Sequence, residues 1–75
     1  MTLKELKPGQ EGTVVSIGEK GQVRRRIMDM GVTPGTSVKV IKVAPLGDPI
    51  EINIRGYELS LRKDEAVHIQ IEPVK

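Results

Sequence analysis

Between Ile50 and Leu61 apolar and polar residues alternate. Ile50, Ile52 and Ile54 are separated by Glu51 and Asn53, and Tyr57, Leu59 and Leu61 by Glu58 and Ser60. Period two predicts two half-buried strands, and Arg55-Gly56 between them marks a two-residue hairpin turn. Val67, Ile69 and Ile71 alternate with His68, Gln70 and Glu72 and predict a last strand closed by Pro73. Lys63-Asp64-Glu65-Ala66 is placed as one tight helical turn before it. Gly12 to Gly18 predicts a first strand bounded by glycines, and Thr36 to about Ala44 a second. In the second strand Val38 and Val40 alternate, but Val40-Ile41 breaks the period, as a bulge or bend would.

The period changes to that of a helix only between about Gln22 and Met30. Val23, Ile27 and Met30 fall at i, i+4 and i+7 on one face, with the arginines Arg24, Arg25 and Arg26 mainly on the others. Gly31 stands where a left-handed cap residue is needed, and Val32 can fold back onto the last turn. Pro34-Gly35 fits the central positions of a type II turn leading into the second strand. The helix has no good N-cap, so tertiary contacts must supply most of its stability. At the start, Thr2 and Glu5 fit a capping box, Leu3 and Leu6 would pin a single turn to the body, and Pro8-Gly9 would end it. Glu19-Lys20-Gly21 and Pro45-Leu46-Gly47-Asp48-Pro49 are loops. The sum is mostly β: about five short antiparallel strands with a short inserted helix. So small a sheet hides its edges and apolar face by partial closure, and the layout is that of an SH3-like, partly open barrel over residues 1–75 as a single domain.

Composition sharpens this picture mainly by exclusion. With 75 residues there is room for one compact core. No apolar run approaches the ~20 residues of a membrane span, and no signal-peptide or lipidation pattern is found. These point to a cytoplasmic protein without direct membrane insertion. Charge is uneven along the chain: residues 1–45 carry 8 Lys and Arg against 4 Asp and Glu, whereas residues 46–75 carry 4 against 6. The first part suits acidic partners; the second does not. Aromatic content is 1%, which is Tyr57 alone. A proline-peptide groove or a stacking platform for single-stranded nucleic acid needs several rings, so both are disfavoured.

Catalysis and cofactor binding find few residues to carry them. There is no nucleophile–base set, and His68, between inward-reading Val67 and Ile69, is expected to face solvent. With Cys 0 and a single histidine, a metal site is not expected. Glu51, Glu58, Glu65 and Glu72 read as outward positions of strands or turns on a solvated face. Gly18-Glu19-Lys20-Gly21 lacks the spacing of a phosphate loop. No enzyme activity and no cofactor are therefore expected. What is left is a protein-binding module, with Arg24, Arg25, Met28 and Leu46 as the candidate partner-binding residues. Met28 lies off the core-facing line of the helix and suits adaptable contacts. Leu46 is an apolar residue stranded in a loop.

The run Arg26-Ile27-Met28-Asp29-Met30-Gly31-Val32-Thr33-Pro34-Gly35-Thr36 resembles the helix-to-strand signature of the FeoA family, the ferrous iron transport protein A of bacteria. Leu3-Lys4-Glu5-Leu6-Lys7-Pro8-Gly9, Pro45-Leu46-Gly47-Asp48-Pro49 and Gly56-Tyr57-Glu58-Leu59-Ser60-Leu61-Arg62-Lys63-Asp64-Glu65-Ala66 resemble it too, in order and at the expected spacing. The resemblance implies a small cytosolic SH3-like barrel acting beside a membrane ferrous-iron transporter that has a cytosolic GTP-binding domain. It implies a protein that binds and regulates that transporter and does not itself carry iron. The same barrel is the C-terminal domain of iron-dependent repressors, so a stand-alone relative of that domain is one alternative, which the lack of a DNA-binding region in this chain disfavours. An RNA-binding SH3-like barrel is the other, resting on the basic first part of the chain.

Overall fold

The structure is a computed structural model of the chain and describes residues 1–18 and 21–74. Glu19 and Lys20, expected in a loop, lie outside the described residues. In chain order a 3-10 turn (Leu3–Glu5) is followed by β1 (Glu11–Ile17), α1 (Gln22–Asp29), β2 (Ser37–Val43), β3 (Ile50–Ile54), β4 (Tyr57–Leu61), α2 (Lys63–Ala66) and β5 (Ile69–Pro73). The five strands form one open antiparallel sheet in the order β4-β3-β2-β1-β5. The mostly β architecture with one short inserted helix is as expected.

The alternation of β3 becomes alternating burial: Ile50, Ile52 and Ile54 are buried, with Glu51 and Asn53 between them half-exposed. Each faces a β4 partner, from Ile50 opposite Leu61 to Ile54 opposite Tyr57. That register closes on a two-residue turn in which Arg55 and Gly56 both have positive φ, 53° and 87°. A primed turn needs this geometry to match strand twist. In β2 the register slips between Val40 and Lys42, so the broken period at Val40-Ile41 is a bulge. β1 carries a second slip, between Val14 and Ser16. The extra residue, Val15, points outward, and the phase change lets Val14 and Ile17 both be buried.

The last strand begins later than the alternation suggests. Val67 is not in it: its N–H donates to the Lys63 carbonyl at 3.1 Å and its backbone is helical, closing α2. His68 N–H then donates to the Glu65 carbonyl at 3.2 Å. His68 is consequently a half-buried turn residue, not a solvent-facing strand residue, and its carbonyl accepts the Gly18 N–H at 2.7 Å. The outer edge of β5 is covered by the N-terminus, through a bridge between Thr2 and Gln70 and an Ile71 N–H bond to the Met1 carbonyl at 2.8 Å. This places Leu3 and Leu6 in the core. Ile27 of α1 and Val32 after it join the same core from the other side.

α1 is inserted between two hydrogen-bonded neighbours, β1 and β2. The chain leaving the helix must therefore return to the sheet within a few residues. Thr33–Thr36 makes that return as a turn closed by the Thr36 N–H on the Thr33 carbonyl at 3.1 Å. Gly35 N–H donates to the Val14 carbonyl and Val14 N–H to the Thr36 carbonyl, tying the turn to β1. The helix face is thereby held in a defined place on the barrel.

Candidate partner-binding surface

α1 presents its apolar line inward. Ile27 is fully buried, and Val23 and Met30 are half-buried against the core. The end of the helix is a Schellman cap. Gly31 N–H donates to the Met28 carbonyl at 2.9 Å and Val32 N–H to the Ile27 carbonyl at 3.3 Å. Gly31 has φ 94°, and a Cβ there would lie 2.5 Å from the Tyr57 hydroxyl. That hydroxyl donates to the Met30 carbonyl at 2.7 Å, taking up one of the helix's last free acceptors. Position 31 thus excludes a side chain twice, by backbone conformation and by space. At the other end the N-cap is Gly21, with no side-chain cap bond.

The three arginines divide. Arg26 Nε lies 3.0 Å from Glu65 Oε2, and the Glu65 side chain is only 10% exposed. The other oxygen of Glu65 accepts the Arg62 N–H at 3.0 Å, as a third-position glutamate does at a helix start. Glu65 is therefore a buried, fully engaged carboxylate and not the solvated residue expected from the sequence. The reason is tertiary: the fold brings Glu65 of α2 against Arg26 of α1, and a buried carboxylate needs a charged partner. Of the other outward-reading glutamates, Glu51 is half-exposed and pairs loosely with Lys42 at 3.8 Å, while Glu58 and Glu72 are exposed.

Arg24 and Arg25 are exposed, and among the described residues their guanidinium groups make no hydrogen bond or ion pair. They line a shallow depression of about 380 Å³ together with Gly21, Met28 and Asp29. Met28 is half-buried: one side packs on the core and another lines the depression. Three of the four sequence-predicted residues thus come together on one face. Gly21 and Asp29 were missed; their only signal was their place one turn from the arginines on the helical wheel.

Leu46 is elsewhere. It is 92% exposed, at the tip of the loop between β2 and β3, and does not line that depression. The loop is well fastened. Ala44 N–H donates to the Pro49 carbonyl at 3.1 Å, Gly47 N–H to the Ala44 carbonyl at 2.7 Å, and Lys63 N–H to Asp48 Oδ1 at 3.0 Å. α2 consequently bonds to the Leu46 loop through Lys63 and to α1 through Glu65. No cluster of three or more His, Cys, Asp or Glu able to hold a metal ion occurs among the described residues. Among them, too, no helix is long and apolar enough to cross a membrane.

The FeoA domain family matches residues 1–73. This chain belongs to the FeoA family. It is 38% identical over 72 residues to a Porphyromonas gingivalis protein named as a fusion of Fe(2+) transport protein A with the Fe(2+) transporter FeoB. That match covers 96% of this chain but only 8% of the fusion protein. The solution structure of a FeoA-like protein from Clostridium acetobutylicum is 43% identical, with a TM-score of 0.94 over 100% of this chain and 87% of that one. The crystal structure of a Stenotrophomonas maltophilia FeoA complexed with zinc is 25% identical, with a TM-score of 0.84 over 96% of this chain and 89% of that one. It is described as a prokaryotic SH3 domain protein, and the five-stranded sheet with its inserted helix is the SH3-like fold expected for the FeoA chain described above.

Proposed function

We propose that this chain is a small cytoplasmic accessory and regulatory protein of bacterial ferrous iron uptake, binding the cytosolic GTP-binding part of a membrane ferrous-iron transporter. One observation carries this reading: in the P. gingivalis protein a segment 38% identical to this chain is joined to an FeoB transporter in a single polypeptide. Domains fused in one species are commonly partners where they are separate, because the fusion raises their effective concentration without requiring a new contact. The charge pattern agrees, with exposed Arg24 and Arg25 beside Met28 on α1 and an exposed Leu46 on an anchored loop. In this reading the chain binds and does no chemistry: its only histidine is half-buried in a turn, and Glu65, the most buried carboxylate among the described residues, is paired with Arg26.

The test is an NMR titration of labelled protein with the purified GTP-binding domain of a ferrous-iron transporter from the same organism. Shifts confined to Gln22–Asp29 and residues 44–49 are expected. Shifts elsewhere would keep the partner and discard Arg24, Arg25, Met28 and Leu46 as its contacts. No shift at hundreds of micromolar with that domain, or with the intact transporter, would overturn the proposal.

A further inference from the structure

The depression on α1 has a chemistry of its own. Resting on the function proposed above, we infer that it receives an acidic segment of the transporter, one that presents a carboxylate beside an aliphatic side chain.

Four observations lead there. First, among the described residues only two of the three arginines lack a side-chain partner. Arg26 is spent on Glu65 at 3.0 Å, whereas Arg24 and Arg25 stand exposed on the rim of the depression. Each guanidinium offers a planar fork of donors that matches a carboxylate in two-point geometry. Second, the remaining lining is apolar or small, Met28 and Gly21, with Asp29 as the one acid. A methionine thioether adapts to an aliphatic or aromatic neighbour. A purely ionic ligand would leave that part of the surface unused. Third, the face is preformed. The Schellman cap, the Tyr57 bond to Met30 and the Arg26–Glu65 pair all fix α1, so little ordering opposes binding. Fourth, nucleic acid fits poorly. The chain's one aromatic residue, Tyr57, is occupied at the helix cap. The two guanidinia on this face, Arg24 and Arg25, neutralise too few phosphates to hold RNA at physiological salt.

Arg24 and Arg25 therefore act chiefly as steering and orienting charges, with Met28 as the apolar contact between them. The experiment is a kinetic binding assay of the full chain against the intact transporter in nanodiscs at about 50 mM and about 200 mM salt. Three variants are compared with the parent: Arg24→Glu/Arg25→Glu, the neutral Arg24→Gln/Arg25→Gln, and Met28→Ala. All are first checked for a parent-like NMR spectrum. The charge-reversed pair should lower the association rate roughly tenfold or more at the lower salt, with the neutral pair between it and the parent and the difference shrinking at the higher salt. Met28→Ala should instead raise the dissociation rate. Parent-like association by both arginine variants would overturn the inference while leaving the proposed function standing. Absence of binding by the parent would remove the function itself. Arginine-dependent capture of a mixed RNA pool in preference to the transporter would also overturn the inference, by assigning the face to a different occupant.

Discussion

The two ends of α1 are built in opposite ways. At its C-terminal end the backbone is closed by the Schellman pair of hydrogen bonds, the last carbonyl is taken by the Tyr57 hydroxyl, and Arg26 is clipped to the buried Glu65. At its N-terminal end Gly21 provides no side-chain cap, and Arg24 and Arg25 reach no partner among the described residues. One end is spent on holding the helix to the barrel and the other is left available. The same residue type serves both purposes: arginine is structural where a buried carboxylate faces it and free where none does. For a helix of two turns this division is needed, since so short a segment is not stable alone and must be anchored somewhere before it can present a surface.

The contrast can be attacked most strongly at Gly31. Gly31→Val combines left-handed strain, about 1–2 kcal/mol, with displacement of the Tyr57 hydroxyl and loss of its hydrogen bond, about 1 kcal/mol. Denaturant unfolding should show a loss of about 2–3 kcal/mol; parent-like stability would mean that the cap does not anchor the helix. Next comes Glu65→Ala, which strands Arg26 and leaves the Arg62 N–H without its acceptor. A loss of about 1–2 kcal/mol is expected, and it should exceed that of Arg26→Gln, since most of the Arg26 side chain is in water and its pair is screened there. Equal losses would place the whole effect in the ion pair. Tyr57→Phe keeps the ring and removes only the bond to Met30, so thermal and chemical melts should agree on about 0.5–1 kcal/mol. The smallest effect is expected where the helix is free. Arg24→Gln/Arg25→Gln should change stability by no more than about 0.5 kcal/mol. A loss as large as that of Glu65→Ala would show that these arginines are structural after all, and the division between the two ends would be lost.

Much of this could be read before folding. Gly31, Pro34-Gly35 and Arg55-Gly56 announce their turns because the required backbone angles depend on the residue itself and its neighbours. The isoleucines of β3 announce a buried face because side-chain direction repeats every two residues. The break at Val40-Ile41 was visible for the same reason. The misreadings have a common cause. Val67 fits the alternation of the last strand, yet the α2 turn, held by Glu65, needs its N–H. Glu65 looks solvated because the charge it meets, that of Arg26, is 39 positions away in the chain. Of the four candidate contacts, Arg24, Arg25 and Met28 could be grouped from helical spacing, whereas the separate position of Leu46 depends on how loop and helix pack.

The chain by itself thus determined the elements, the inward faces and the small stock of titratable and nucleophilic side chains, since all three follow from local conformational preference and composition. Only the tertiary structure decided which arginine meets a buried carboxylate and which stand exposed with no partner among the described residues. A side chain's charge is written in the sequence, but whether that charge meets a carboxylate or water depends on which distant segment the fold brings against it.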